Sequence, residues 1–406
     1  MQMLRKTVKA ILVIALLKII MLILDSYSPA SSIFHRQFLF SFQLIVIVWL
    51  LLSLLLFILK AAKSWVARFL PVLIIMVVLA IDILFSFWME KPEKIPGFLK
   101  KEFKYHYIYF ERNVMEYEPC SVYDSAYSYK LIPGLAFAFG NIEYKNNFVV
   151  NSESLRDEEG AMSGPQIICA GNSYTLGVGA DQNHAYPDLL GGQAGKSVLN
   201  TGNSGYATVR QLKRLVNADT SFLQYAVIQY SKYDVYENEA FVKNNDALPV
   251  KSDSAYREAV KQYRWRKEYF PGKYAITITY DFLKSIAGKV RKKKYYLSGD
   301  EAASAGYFLK TIDKYKLQNN LKILVTEIND YYDMNTGFLP AVDSLLQQQE
   351  FAHLKSMIST INVADVLTPS DYYIVDPHLR ASGHEKVAKK ISAFITQHSV
   401  AQQRPD

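Results

Sequence analysis

The sequence predicts an α/β protein: a parallel sheet with helices on both faces, a three-layer α/β/α domain, preceded by three transmembrane helices. Three observations predict it. Apolar runs of strand length alternate with helical patterns between Ile167 and Thr396. The first of those runs, Ile167 to Ala170, breaks at Gly171 into a turn that carries Ser173, and open α/β sheets bind their ligands at that carboxyl edge. Three long apolar runs fill the first quarter of the 406-residue chain, whereas the remainder is polar.

Those apolar runs are Ala10 to Leu24, Phe38 to Leu59 and Phe69 to Trp88, giving spans at about 10–24, 38–59 and 69–88. The second and third meet the ~20 residues that a bilayer crossing needs. The first is shorter and carries Lys18, and a signal peptide is its competing reading. No small-residue cleavage site follows it, and two further spans argue for a retained helix. Arg5, Lys6 and Lys9 precede the first span, and Lys60, Lys63 and Arg68 fill the second loop. The positive-inside rule puts both in the cytoplasm and sends the large C-terminal domain across the membrane to the extracytoplasmic side. Lys18 and Asp82 lie inside spans, where charges tend to pair, so two readings stand: a Lys18–Asp82 pair joining spans one and three, or a Lys18 that snorkels with Asp82 protonated or near the interface.

The organisation expected is a membrane domain over residues 1–95, a linker and small β-rich preface over 96–164, and a catalytic-type domain over 165–406. The preface rests on short strands from Leu131 to Val150, with turns at Pro133-Gly134 and Lys145-Asn146-Asn147. Residues from about 240 to 318 form an insertion rich in Tyr, Lys and Arg, read either as solvated helix or as a surface that meets anionic lipid, glycan or a partner protein. Beyond the serine turn the pattern predicts a helix over 174–190 and strands at 198–201, 225–230, 321–326 and 361–367. It also predicts helices at 209–216, 345–359 and 385–396.

Composition excludes several classes. Cys120 and Cys169 are too few for a disulfide framework. The formal charge of +8 follows from lysines beside membrane spans, so no nucleic-acid partner is expected. Gly195-Lys196-Ser197 leads into a strand instead of leaving one, which is the wrong context for a phosphate loop. No cluster has metal-ligand spacing, and neither metal nor cofactor is expected.

What the chain does offer is a nucleophile, a base and an orienting acid. Gly171-Asn172-Ser173 forms the turn after the first strand, and Asp376-Pro377-His378 lies far downstream, followed by a Gly383-His384 pair. Together with the flanks Tyr129 to Gly134, Asn151 to Asp157, His184 to Leu190 and Val198 to Thr208, these blocks resemble the SGNH (GDSL-type) hydrolases, membrane-anchored bacterial branch. The resemblance runs from about Tyr129 to Phe394, apart from the insertion. It implies the flavodoxin-like SGNH sheet and a triad in which Ser173 attacks an ester carbonyl, His378 takes the proton and Asp376 orients the imidazole. It further implies an oxyanion hole from the N–H groups of Ser173 and Gly202.

Two positions depart from the family pattern. Asn172 stands for the usual aspartate of the first block; it keeps an acceptor to brace the turn. Tyr233-Asp234 stands where the family shows an Asn-Asp pair whose asparagine completes the oxyanion hole, and the phenol of Tyr233 or the amide of Gln229 is left to substitute. His384 reads as a hydrogen-bonding residue at a helix start, not as a second base.

Three functions remain open at this level. One is a membrane-tethered esterase or O-acyltransferase acting on ester groups, acetyl by the resemblance, of envelope carbohydrate. The second is a catalytically impaired relative that binds glycan or protein partners. The third is an assembly factor whose spans dock a transporter or a membrane acyltransferase.

Overall fold

A computed structural model describes residues 65–286, 300–318, 320–334 and 337–402, with side chains from residue 73 to residue 398. The first two expected spans and Lys18 lie outside the described residues. Within these limits the chain forms two units, one from residues 65–111 and 266–286, the other from residues 112–265 and 300–402. Those limits fall elsewhere than the boundaries expected near 95 and 164, because a distant segment completes the first unit.

The first unit begins with α1 (Trp65–Glu90) and α2 (Lys100–His106). Within α1, Leu73–Glu90 is an 18-residue stretch long and apolar enough to cross a membrane. The region after it is not a linker: Phe103 of α2 is fully buried and meets Phe85 of α1 edge-on at 5.2 Å.

The second unit opens with two antiparallel hairpins, β1 (Ser121–Asp124) with β2 (Ser128–Leu131) and β3 (Ala136–Gly140) with β4 (Lys145–Val149). After them comes β5 (Ile167–Ala170), all four residues buried. The helix expected over 174–190 is interrupted. A single turn, α3 (Ser173–Leu176), ends at Gly177, and α4 (Tyr186–Ala194) starts afresh with Pro187 in its first turn. Gly177 at φ 83° and Gly179 at φ 95° take left-handed backbone that closes a helix.

The alternation then proceeds through β6 (Val198–Asn200), α5 (Thr208–Asn217) and β7 (Tyr225–Tyr230). Next come α6 (Asp234–Lys243), α7 (Asp253–Lys267), α8 (Lys273–Ile286) and α9 (Glu301–Lys314). Here the expected insertion limit of 318 is corrected. Ala305, Phe308, Leu309 and Ile312 of α9 recur at helical spacing and are buried in the sheet's core, so α9 is a crossover helix. The chain closes with β8 (Lys322–Glu327), α10 (Phe338–Leu345), β9 (Ile358–Ile361) and α11 (Ala381–Gln402). The helix expected over 345–359 lies earlier, because the apolar face at Phe338, Leu339 and Val342 is what packs. The fifth strand is likewise earlier than 361–367.

All four pairings of the sheet are parallel, in the order β6-β5-β7-β8-β9. The alternation of side chains along each strand separates two cores. Ile168, Ala226, Ile228, Ile323 and Val325 face α5, α9 and α10 on one side. Ile167, Cys169, Val227 and Leu324 face α4 and α11 on the other. Both faces are covered, which is why the strands read as continuous apolar runs. The order reverses between β5 and its neighbours β6 and β7, so the turn after β5 stands at the topological switch point.

Candidate active site

The serine turn is built by exclusion of side chains. A Cβ on Gly171 would stand 1.9 Å from Thr175 Oγ1 and 2.8 Å from Gln229 Oε1, so only glycine fits. Asn172 caps the one-turn helix: its Oδ1 accepts the Tyr174 N–H at 3.1 Å, and its own N–H donates to Gln229 Oε1 at 3.1 Å. The amide at position 172 therefore braces the turn without a charge. Arg156 secures the loop behind it. Its buried guanidinium donates to the carbonyls of Leu176, Gly177 and Ala180 at 3.0, 2.7 and 2.8 Å and lies 3.6 Å from the Phe148 ring centroid. Burial pulls this group down to about 10.

The opposing loop is a short antiparallel excursion closed by the Tyr372–Leu379 bridge and by the Tyr373 N–H to His378 carbonyl bond at 3.2 Å. Gly179 lets it approach, since a Cβ there would stand 2.8 Å from the Leu379 carbonyl oxygen and 3.5 Å from His378 Cβ. At the tip, His378 Nε2 lies 2.8 Å from Ser173 Oγ, and His378 Nδ1 lies 2.6 Å from Asp376 Oδ1. The His378 N–H also donates to Asp376 Oδ1 at 3.0 Å. Asp376 is fully buried. Burial alone would raise its carboxyl, but the His378 charge and hydrogen bonds, with the Arg112 guanidinium, outweigh it and hold the group below the ordinary aspartate value. An ionised acid at Oδ1 keeps the proton on Nδ1, which leaves Nε2 as the acceptor for the serine hydroxyl.

Four residues of this arrangement were not read from the sequence. Asn141 Nδ2 and the Tyr144 hydroxyl donate to Asp376 Oδ2 at 3.2 and 3.4 Å. Glu143 accepts the main-chain N–H groups of Ile374, Val375 and Asp376. Three of the four, Asn141, Glu143 and Tyr144, sit in the β3–β4 turn, and the fourth is Arg112. The only local signal was an acid and an amide crowded into that turn. Tyr174 supports the loop from the serine side, donating to the Pro377 carbonyl at 3.1 Å.

The expected oxyanion donors fare differently. The Ser173 N–H meets no acceptor among the described residues. The Gly202 N–H, by contrast, is given to Asn200 Oδ1 at 3.0 Å, so the donor expected there is already engaged. Gly202 is glycine for packing, because a Cβ would stand 2.5 Å from Leu176 N. Its loop is tied to the serine turn by the Asn203 N–H to Gly171 carbonyl bond at 3.1 Å. In the same loop the Ser204 and Gly205 N–H groups have no acceptor among the described residues. Gln229 is corrected as a substitute. Its Oε1 takes the Asn172 N–H, and its Nε2 donates to the Tyr230 and Ile328 carbonyls at 2.8 and 3.3 Å. Tyr233 is half-exposed at the start of α6, near enough to Tyr174 to add to the upward pull on that phenol, which is chiefly due to burial.

His384 is buried and accepts the Tyr186 N–H at Nδ1 over 3.3 Å; burial pushes it down to about 3, so it stays neutral. No grouping of His, Cys, Asp and Glu fit to hold a metal ion occurs among the described residues. Cys120 and Cys169 are free and buried.

No protein-family model matches the chain, and no curated protein does. Among solved structures it is similar to a protein described as lipolytic and of the G-D-S-L family from Desulfitobacterium hafniense. That pair shares 11% identity over 56% of this chain and 97% of the other, with a TM-score of 0.28. It is also similar to a protein described as an arylesterase from Agrobacterium tumefaciens (15% identity, 57% and 98%, TM-score 0.28). A lipase from a goat rumen metagenome is a third (16% identity, 56% and 96%, TM-score 0.27). Likeness at that level decides nothing about chemistry, which rests on the distances among Ser173, His378 and Asp376.

Proposed function

We propose that this protein is a membrane-tethered serine esterase or O-acyltransferase acting on ester groups, acetyl above all, of cell-envelope carbohydrate on the extracytoplasmic side. The observation that carries the reading is the continuous relay from Ser173 Oγ through His378 to a fully buried, ionised Asp376, at 2.8 and 2.6 Å. In this reading Ser173 Oγ attacks the ester carbonyl carbon while His378 Nε2 takes its proton. The charge that develops on the imidazolium is held by Asp376. His378 then returns the proton to the leaving alkoxide oxygen, and the acyl group stays on Ser173. Water or a sugar hydroxyl, deprotonated by the same imidazole, resolves the acyl-enzyme. The developing oxyanion is received by the Ser173 N–H. Membrane tethering is supported by α1, and the carbohydrate substrate by the motif resemblance alone.

A second reading is favoured by specific observations: the Gly202 N–H and the Gln229 amide are both committed elsewhere. It makes the protein a catalytically impaired glycan-binding or membrane assembly partner. Labelling of the full-length protein in detergent by a fluorophosphonate, with Ser173→Ala as control, separates the two. The first reading expects labelling that the substitution abolishes. Absence of labelling in the folded protein overturns it in favour of the second.

A further inference from the structure

The edge of the sheet carries a second cleft, lined by none of Ser173, His378 and Asp376. It has a volume of about 360 Å³ and lies on the α5 side of β6, against the β1–β2 hairpin. That size falls within the range of small-molecule sites, about 300–1,000 Å³. Leu199 and Thr201 line it, whereas Asn200 between them turns the other way and donates from Nδ2 to the Thr175 carbonyl at 3.0 Å. Strand β6 therefore stands between the cleft and the helix that carries Ser173.

The walls are held by the protein itself. On the hairpin, Tyr127 stacks on Tyr206 with ring centroids 5.8 Å apart, and its hydroxyl accepts from Asn217 Nδ2 of α5 at 3.0 Å. Lys213 Nζ closes the same seam by donating to the Ala126 carbonyl at 2.9 Å. Arg214 lies over Tyr127 and Tyr206 at 5.5 and 5.6 Å. Leu155 and Leu199 give an apolar floor, with Met162 half-buried beside it.

The charges of the cleft leave two groups open. Arg214 is 7% exposed, and its guanidinium makes one hydrogen bond, from Nη1 to the Ser154 carbonyl at 3.1 Å, with no acid partner among the described residues. A buried cation without an opposite charge is costly. Glu153 lines the same cleft at its exposed mouth, and its carboxylate also has no partner among the described residues. These opposite charges face one space and do not pair. The remaining acids are committed. Asp124 takes the Ala126 and Tyr127 N–H groups and pairs with Lys130 at 3.3 Å, and Asp219 takes the Gly164 and Ser221 N–H groups.

The carboxylates of Asp124, Glu153 and Asp219 disfavour an anion here, and Arg214 with Lys130 disfavours a cation. An alkyl chain would strand both open charges. A hydroxyl donates and accepts at once, so a ring bearing several of them bonds Arg214 and Glu153 together while its C–H edges meet Leu155 and Met162. We propose that this cleft is a second binding site that takes a neutral saccharide unit, whose hydroxyls bridge the Arg214 guanidinium and the Glu153 carboxylate. The site is independent of the chemistry at Ser173 and fits either reading of that centre.

The test is isothermal titration of the full-length protein in lipid nanodiscs, free of glycoside detergent. The probes are neutral xylo-, cello- and chito-oligosaccharides, with glucuronate as the anionic arm. The expected result is saturable binding of at least one neutral saccharide, weakened about tenfold or more in Glu153→Ala, as loss of a hydrogen bond to a charged group entails. Thermal melting verifies that this exposed substitution leaves the fold intact. Absence of binding by all three neutral saccharides overturns the proposal. Binding unaltered in Glu153→Ala also overturns it, the sugar then sitting elsewhere on the protein. Binding of glucuronate alone overturns it in favour of an anion site. Saccharide binding that depends on Glu153, in a protein that takes no fluorophosphonate, supports the cleft and removes only the esterase reading.

Discussion

The Glu143 carboxylate holds the Asp376 N–H at 2.8 Å, and the same side chain takes the two preceding N–H groups at 2.7 and 2.9 Å. A hairpin more than 200 residues upstream thus fixes the loop that carries the acid of the relay. Burial, aided by the charge of neighbouring Asp376, raises the Glu143 carboxyl above its ordinary value although three N–H bonds oppose it. It is a positioning residue, acting through Asp376.

Replacing Glu143 by Ala should lower kcat by about 100-fold, the effect of an ångström-scale displacement of a catalytic group, with little change in KM. Glu143→Gln should fall between, because an amide presents donors to at least one of the N–H groups it must accept. Steady-state kinetics on an aryl acetate, with circular dichroism to verify folding, checks both. An equal effect on KM would place Glu143 in substrate binding instead.

Asp376→Asn should leave the fold intact and lower kcat by about 10⁴-fold, since an amide at this position favours the wrong imidazole tautomer. Ser173→Ala should remove acyl-enzyme formation altogether. Pre-steady-state burst measurements distinguish the two: a slow burst survives in the first variant and none in the second.

Arg156 is a buried cation that donates to three carbonyls behind the serine turn. Leaving those carbonyls unsatisfied should cost about 3 kcal/mol or more of stability in Arg156→Ala. Arg156→Lys should recover only part of it, because an ammonium cannot reproduce the guanidinium fork. Urea unfolding of the three proteins tests the order.

Asp188 provides a pH signature. Burial, with Asp157 nearby, raises its carboxyl to about 7, against roughly 3.9 in an unfolded chain. The folded state therefore binds more protons than the unfolded state between those values, and stability falls as pH rises through the window. Asp188→Asn should flatten the decline of Tm between about pH 4 and pH 7. A decline of unchanged slope would assign it to other groups, Asp157 first, whose carboxyl burial raises to about 6.

The sequence by itself determined the alternation that builds the sheet, because burial on both faces writes each strand as an apolar run. It also singled out Ser173, Asp376 and His378 as candidates, because each sits in a short local motif that resembles a family block. It misjudged α9, although Ala305, Phe308, Leu309 and Ile312 keep helical spacing, because basic and aromatic composition upstream drew the boundary too late. Only the tertiary structure decided where hydrogen bonds end. The Gly202 N–H turns to Asn200, Gln229 is consumed by the serine turn, and Glu143 reaches the acid loop from a hairpin. It alone joined residues 266–286 to α1 through Asp82, which accepts the Ala275 N–H at 3.0 Å. Directions of donors and contacts across hundreds of residues depend on packing in three dimensions, and no local pattern encodes them.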